Sequence, residues 1–280
     1  MKIKKHKLVA DGGEAAPFVA AKHVGGKLEG GKPRFLVIHY TAGGSGSGTV
    51  RFFRDSDVKV SAHLVIDRDG AITQMVDFDV TGFHAGESRW KGVRGLNRHS
   101  VGFELANWGQ LRPNAAGGFV SHTGTPVAAE RVIMAEHRNS PGREHGWEVF
   151  DAAQFEATVA AAQAVVAEYG LEPWDVVGHD DVSPLRKIDP GPAFPMDAFR
   201  ARVFGRAADD WDDMLFRVRS ETGLNLRAEP AVDGRLIKNL PAGTTVHLID
   251  NAGPWWLVCE VVDGADDVTG FVHSRFLEPA

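Results

Sequence analysis

The sequence predicts an α/β domain, with a mixed central sheet flanked by helices, followed by a small all-β barrel. Three observations lead there. The chain has 280 residues, enough for two domains if one is small. Before about residue 205, apolar runs of strand length alternate with stretches of helical spacing, whereas afterwards the apolar segments are all short and separated by Gly, Pro, Asn and Asp. Between the two regimes lies an acidic stretch, Ala207 to Asp213. It places a linker at 206–214, a first domain at 1–205 with its core at about 33–204, and a second domain at 215–280.

The elements follow in order. Phe35 to Tyr40 is an apolar run opening into Thr41-Ala42-Gly43-Gly44, the pattern of a buried strand feeding a flexible loop. Ala62 to Ile66 and Ala71 to Val76 flank Asp67-Arg68-Asp69-Gly70, where Asp-Gly signals a hairpin turn. Ser100 to Leu105 is a third strand. Phe155, Val159, Ala162 and Val166 recur at helical spacing. Asp151 with Gln154 reads as a capping box for that helix and Gly170 as its stop. Val176 to Gly178 forms another strand, and Met196 to Phe204 a second helix. In the second domain, strands are expected at 224–227, 236–240, 245–249, 256–262 and 269–273.

Composition narrows the function. A net charge of -6 gives no basic footprint for nucleic acid. A single cysteine, Cys259, excludes an intramolecular disulfide and any multi-thiolate metal site, so metal ligands must be mostly His and carboxylates. No run approaches the ~18 apolar residues of a membrane span, and the basic Met1 to Lys7 is followed by only three apolar residues, too few for a secretory signal. Synthesis in the cytoplasm without a Sec signal is therefore the expectation. Oligomeric state is not legible.

Three places put a polar residue where a buried strand does not call for one. His39 ends an apolar strand before a Gly-rich loop. Glu104 alternates against Val101, Phe103 and Leu105. His179 follows Val176-Val177-Gly178 and precedes Asp180, Asp181, Lys187 and Asp189. Singly, each suits a structural role. Together, at strand ends of an α/β sheet, two imidazoles and a carboxylate match a catalytic zinc site with an open position for water. A free glutamate then suits a general base, and a lysine an oxyanion partner. Spacing alone leaves His63, His84 and His99 open as alternative ligands.

The segments Val37 to Thr41, Ser61 to Gly70, Phe83-His84-Ala85-Gly86, Ser100 to Leu105 and above all Gly178 to Pro192 resemble the zinc-dependent N-acetylmuramoyl-L-alanine amidases (amidase_2). That family includes the AmpD recycling enzyme, a phage lysozyme and the peptidoglycan recognition proteins. The resemblance covers about residues 33 to 204, with the motifs in the family's order. It implies His39, His179 and Asp189 as Zn²⁺ ligands, with Glu104 as the catalytic glutamate and Lys187 beside the oxyanion. Asp189 stands where phage relatives carry Cys, and Leu64 where some relatives carry an aromatic residue. His84 falls where relatives line the substrate groove, and is weighed evenly between substrate contact and a structural role. His63 reads as structural. The span 110–147 is longer than the family needs, and reads equally as a groove wall or a solvated insertion.

Gly223 to Pro230, Leu240 to Thr244, Trp255 to Val258 and Gly270 to Leu277 resemble a bacterial SH3 (SH3b) domain. That resemblance implies a module that targets peptidoglycan, against a domain packed on the first to shape its groove. Strand alternation sends one of Trp255 and Trp256 to the core and leaves the other for a ligand. The implied activity is hydrolysis of the amide between N-acetylmuramic acid and L-alanine in peptidoglycan or a muropeptide. Competing expectations are a cytoplasmic recycling amidase for anhydro-muropeptides and a non-catalytic wall-binding protein. A lysin released through a holin, or an effector exported by a dedicated secretion system, reconciles the missing signal with a wall polymer as substrate.

Overall fold

The computed structural model describes residues 1–205, 215–250 and 254–280. The expected linker at 206–214 lies outside them.

The first domain is built on a five-stranded sheet in the order Val176–Gly178, Phe35–Tyr40, Ser100–Leu105, Leu64–Ile66, Ile72–Gln74. The first four run parallel and the last pairs antiparallel. Parallel strands covered on both faces are apolar throughout rather than alternating, and the first five residues of Phe35–Tyr40 are indeed all buried. On one face Leu36, Ile38, Val101, Phe103 and Leu105 pack against the helix Ala152–Tyr169. That helix ends as expected, with Gly170 left-handed at φ 69°. Its start differs: Asp151 makes no cap bond, because its carboxylate is taken by Arg131 at 2.7 and 2.8 Å. Gln154 instead donates to the carbonyls of Ile66 and Ala106, tying the helix to the sheet.

Two regions exceed what the pattern showed. An N-terminal hairpin, Lys2–Lys4 with Lys7–Val9, buries Ile3 and Leu8 in the same core. The span 110–147 is neither loose nor a simple wall. It holds a second five-stranded sheet, whose long hairpin Val132–His137 and Ser140–Glu148 buries Trp147 and His137.

The C-terminal residues form one seven-stranded antiparallel sheet, in the order 236–240, 224–227, 265–273, 255–262, 245–250, 215–218, 277–279. All five expected strands are present, but the described pairing is that of an open sheet, not a closed barrel. Its core is continuous with the other face of the first sheet: Phe35, Val37, Val177 and Trp174 cluster with Phe216, Val218 and Val258. Phe216 meets Trp174 and Trp256 edge-on at 5.1 Å each. Of the Trp255-Trp256 pair, Trp256 packs into this core and faces Trp174, while Trp255 edges His273 at 5.2 Å and stays partly exposed.

Candidate metal centre and active site

The sheet's parallel register places the site. His39 lies opposite Glu104 across neighbouring strands, and His179 starts a short helix directly after the strand beside His39. At the carboxyl ends of these strands side chains converge without backbone to separate them. His39 Nδ1, His179 Nδ1 and Asp189 Oδ2 form a triangle with every edge 2.9 Å. Among the described residues, these three are the one set of side chains able to hold a metal ion.

The surrounding bonds test whether a cation fits. His179 Nε2 sits 3.0 Å from the Ala85 carbonyl, which only accepts, so that nitrogen carries the proton and Nδ1 is bare. His39 Nε2 lies 3.0 Å from His84 Nδ1. Ser100 donates its hydroxyl hydrogen to the Leu96 carbonyl at 2.6 Å and faces His84 Nε2 at 3.4 Å. The chain is consistent in one direction: His84 Nε2–H points to Ser100, His84 Nδ1 accepts from His39 Nε2–H, and His39 Nδ1 is bare. Two bare imidazole nitrogens and a carboxylate oxygen then aim at one point, an arrangement that repels itself and that a divalent cation stabilises. Outer partners that fix imidazole tautomers are a regular feature of metal sites.

Electrostatics agree. Burial, aided by His179, pulls the His39 imidazole down to about 4 despite the neighbouring Asp189. Burial would raise the Asp189 carboxyl, but His179 and His39 outweigh it and hold it below the usual carboxylate range. Glu104 is the opposite case: burial and the charge of Asp189 push it well above its ordinary value, while Lys187 pulls it back. Glu104 Oε2 is buried without a hydrogen-bond partner. A satisfied structural carboxylate would not leave that atom idle.

One pocket of about 440 Å³ is lined by all six residues singled out from the sequence: His39, His84, Glu104, His179, Lys187 and Asp189. His63, by contrast, is fully enclosed, with its nitrogens on the Val80 carbonyl and the Gly102 N–H. His99 lies 3.4 Å from Glu29, away from the triangle.

Comparison with known proteins decides the family. The sequence matches the family described as N-acetylmuramoyl-L-alanine amidase over residues 29–192, more than half of the chain. The chain belongs to the N-acetylmuramoyl-L-alanine amidase family. Residues 222–278 match the bacterial SH3 domain. The amidase AmiD of Escherichia coli K12 is 29% identical over 183 residues, 63% of this chain and 55% of that protein. The 1,6-anhydro-N-acetylmuramyl-L-alanine amidase AmpD of Salmonella typhimurium is 29% identical over 202 residues, 66% of this chain and 88% of that protein. A crystal structure of a selenomethionine AmpD derivative aligns with a TM-score of 0.50 and 25% identity, covering 70% of this chain and 98% of that one.

Within this amidase fold, sequence reasoning missed what holds the segment 179–189. Asp180 is bound by His137 Nε2 at 3.0 Å and Arg138 at 2.8 Å, and Asp181 by Arg138 at 2.7 Å. Asn139 donates to the carbonyls of Asp180 and Lys187. The tip of the 132–148 hairpin thus clamps the segment carrying His179, Lys187 and Asp189. Burial would raise Asp181, but Arg138 and Arg200 outweigh it and keep the carboxyl low. Tyr40, Phe52, Phe83 and Arg186 also line the pocket. Phe52 had a signal: next to Phe53 on one helix, the two rings cannot share a face, and Phe53 is buried while Phe52 is exposed.

Proposed function

We propose that the chain is a zinc-dependent hydrolase of the amide between the lactyl group of N-acetylmuramic acid and L-alanine in peptidoglycan. The observation that carries this reading is the triangle of His39, His179 and Asp189 beside the unpartnered Glu104 Oε2, in one pocket. His39, His179 and Asp189 would hold the zinc, which supplies Lewis acidity for a water and for the scissile carbonyl. Glu104 takes the proton of the attacking water at Oε2 and delivers it to the leaving amine of L-alanine. Its buried setting beside Asp189 suits that work, since a carboxyl raised above its ordinary value is the stronger base toward the water's proton. Lys187 neutralises the developing oxyanion. His84 orients His39 and borders the space where substrate sits.

We assign residues 1–205 to the catalytic domain, 206–214 to the linker and 215–280 to an SH3-like domain that engages the wall. Polymeric peptidoglycan is the substrate this second domain favours, while the names of the AmpD relatives support soluble anhydro-muropeptides as the alternative. No helix among the described residues is long and apolar enough to cross a membrane.

Replacing Glu104 by Gln tests the assignment. Turnover of a muropeptide is expected to fall by roughly 10²–10⁴, while zinc content measured by atomic emission stays equimolar with protein. Near-normal turnover removes Glu104 as the base.

A further inference from the structure

A second groove begins where the catalytic pocket ends. It has a volume of about 690 Å³ and lies between the two domains, walled by residues 87–89, 94–95 and 182–186 on one side and by 219–221 with 275–276 on the other. Arg186 lines both this groove and the catalytic pocket. Its guanidinium donates to the carbonyls of Ala85 and Glu87, so the side chain forms the sill between the two spaces.

The groove's charge runs against that of the chain. The protein carries a net charge of -6, yet Arg89, Arg94, Arg186, Arg219 and Arg275 line the groove with only two glutamates, Glu87 and Glu221. Glu278, behind the lining, approaches Arg89 at 3.9 Å and offsets part of that charge, while the lining glutamates do little. Arg94 and Glu221 approach only to 3.6 Å, with both side chains largely in solvent, a pairing of small worth. The Nε atoms of Arg89 and Arg275 are buried with no hydrogen-bond partner among the described residues. Arg219 spends its donors on the backbone carbonyls of Arg275 and Arg89. Guanidinium groups bind carboxylates in forked geometry, and the exposed Arg94, with Arg186 at the sill, presents such a group to the groove.

We propose that this interdomain groove is an anion subsite that receives the carboxylates of the substrate's peptide arm as it leaves the catalytic pocket past Arg186. The subsite is composite: neither domain alone supplies its walls. The C-terminal domain therefore helps select the substrate at the active site, in addition to any contact with the distant polymer. This rests on the amidase reading above.

The test uses the full chain with Arg89 and Arg94 both changed to Gln, neither of which takes part in the chemistry. Two soluble substrates are compared, an N-acetylmuramoyl-L-alanyl-γ-D-glutamyl-L-lysine with free carboxylates and the same molecule with them amidated. For the natural sequence, KM is expected to be about tenfold lower for the free acid, the worth of about one charge-assisted bond. The double variant is expected to raise KM for the free acid to the amidated value, with kcat unchanged and the amidated substrate unaffected. Equal KM for both substrates in the natural sequence, or equal losses on both in the variant, overturns the subsite. If neither substrate is cleaved, the amidase reading fails by itself. Calorimetric binding of the free tripeptide, present in the natural sequence and lost in the variant, then supports the groove, and equal or absent binding overturns it.

Discussion

Changing His84 to Ala separates two roles that the sequence left balanced. His39 is 1% exposed and its Nε2 faces His84 Nδ1 at 3.0 Å, so no bulk water stands ready to replace the lost acceptor. The ring of His84 is itself held: its backbone N–H donates to Asn97, its Nε2 faces Ser100, and it lies so close over Gly102 that a Cβ there would meet it at 2.5 Å. Removing it leaves a buried N–H unpaired, at about 1–3 kcal/mol, and frees His39 to carry its proton on the metal-facing nitrogen. Loss of such an outer partner typically weakens metal binding by about 10–100-fold, a range consistent with that energy. The assay is zinc competition against a chromophoric chelator on the full chain, with thermal melting as a control for folding. His84→Asn, whose side-chain oxygen can accept from His39 Nε2–H, is expected to recover part of the affinity. Unchanged zinc affinity with only KM raised refutes the positioning role and returns His84 to substrate contact alone.

Phe216 is 1% exposed and joins the two domains through Trp174 and Trp256. Phe216→Ala is expected to cost about 3–5 kcal/mol, read as a lowered midpoint in urea; a change below about 1 kcal/mol contradicts a shared core. Burial holds His63 down to about 4, against about 6.5 in the unfolded chain. The unfolded form therefore binds more protons between those values, and stability falls as pH drops from about 6.5 to about 4, by on the order of 3 kcal/mol. Comparing natural chain and His63→Gln across that window isolates the contribution, and identical slopes reject it.

The core sheet was legible because parallel strands buried on both faces leave continuous apolar runs, as at Phe35–Tyr40. The site was legible for the complementary reason: His39, Glu104 and His179 interrupt such runs with groups that burial penalises. Which histidines converge with Asp189 was not readable from spacing, because that depends on strand register and on the partners of each outer nitrogen, as His63 and His84 illustrate. The second sheet at 110–148 escaped because three of its strands span only two to four residues and its longest, Ser140–Glu148, is mostly polar and broken by Gly142 and Gly146. A packed second domain was one of two expectations, but the residues that make the contact were not legible, since Trp174, Phe216 and Trp256 stand far apart in sequence until their rings are found together. The same ambiguity made Asp151 and Gln154 look like a capping box when each is engaged by tertiary partners, Arg131 in one case and two sheet carbonyls in the other.

The central claim is a zinc-dependent amidase centred on His39, His179, Asp189 and Glu104. Its most direct test is digestion of purified sacculi, beside a soluble anhydro-muropeptide, with mass spectrometry for free stem peptide. The account predicts stem peptide beginning at L-alanine, abolished by chelator and restored by zinc. No chelator-sensitive release from either substrate contradicts it.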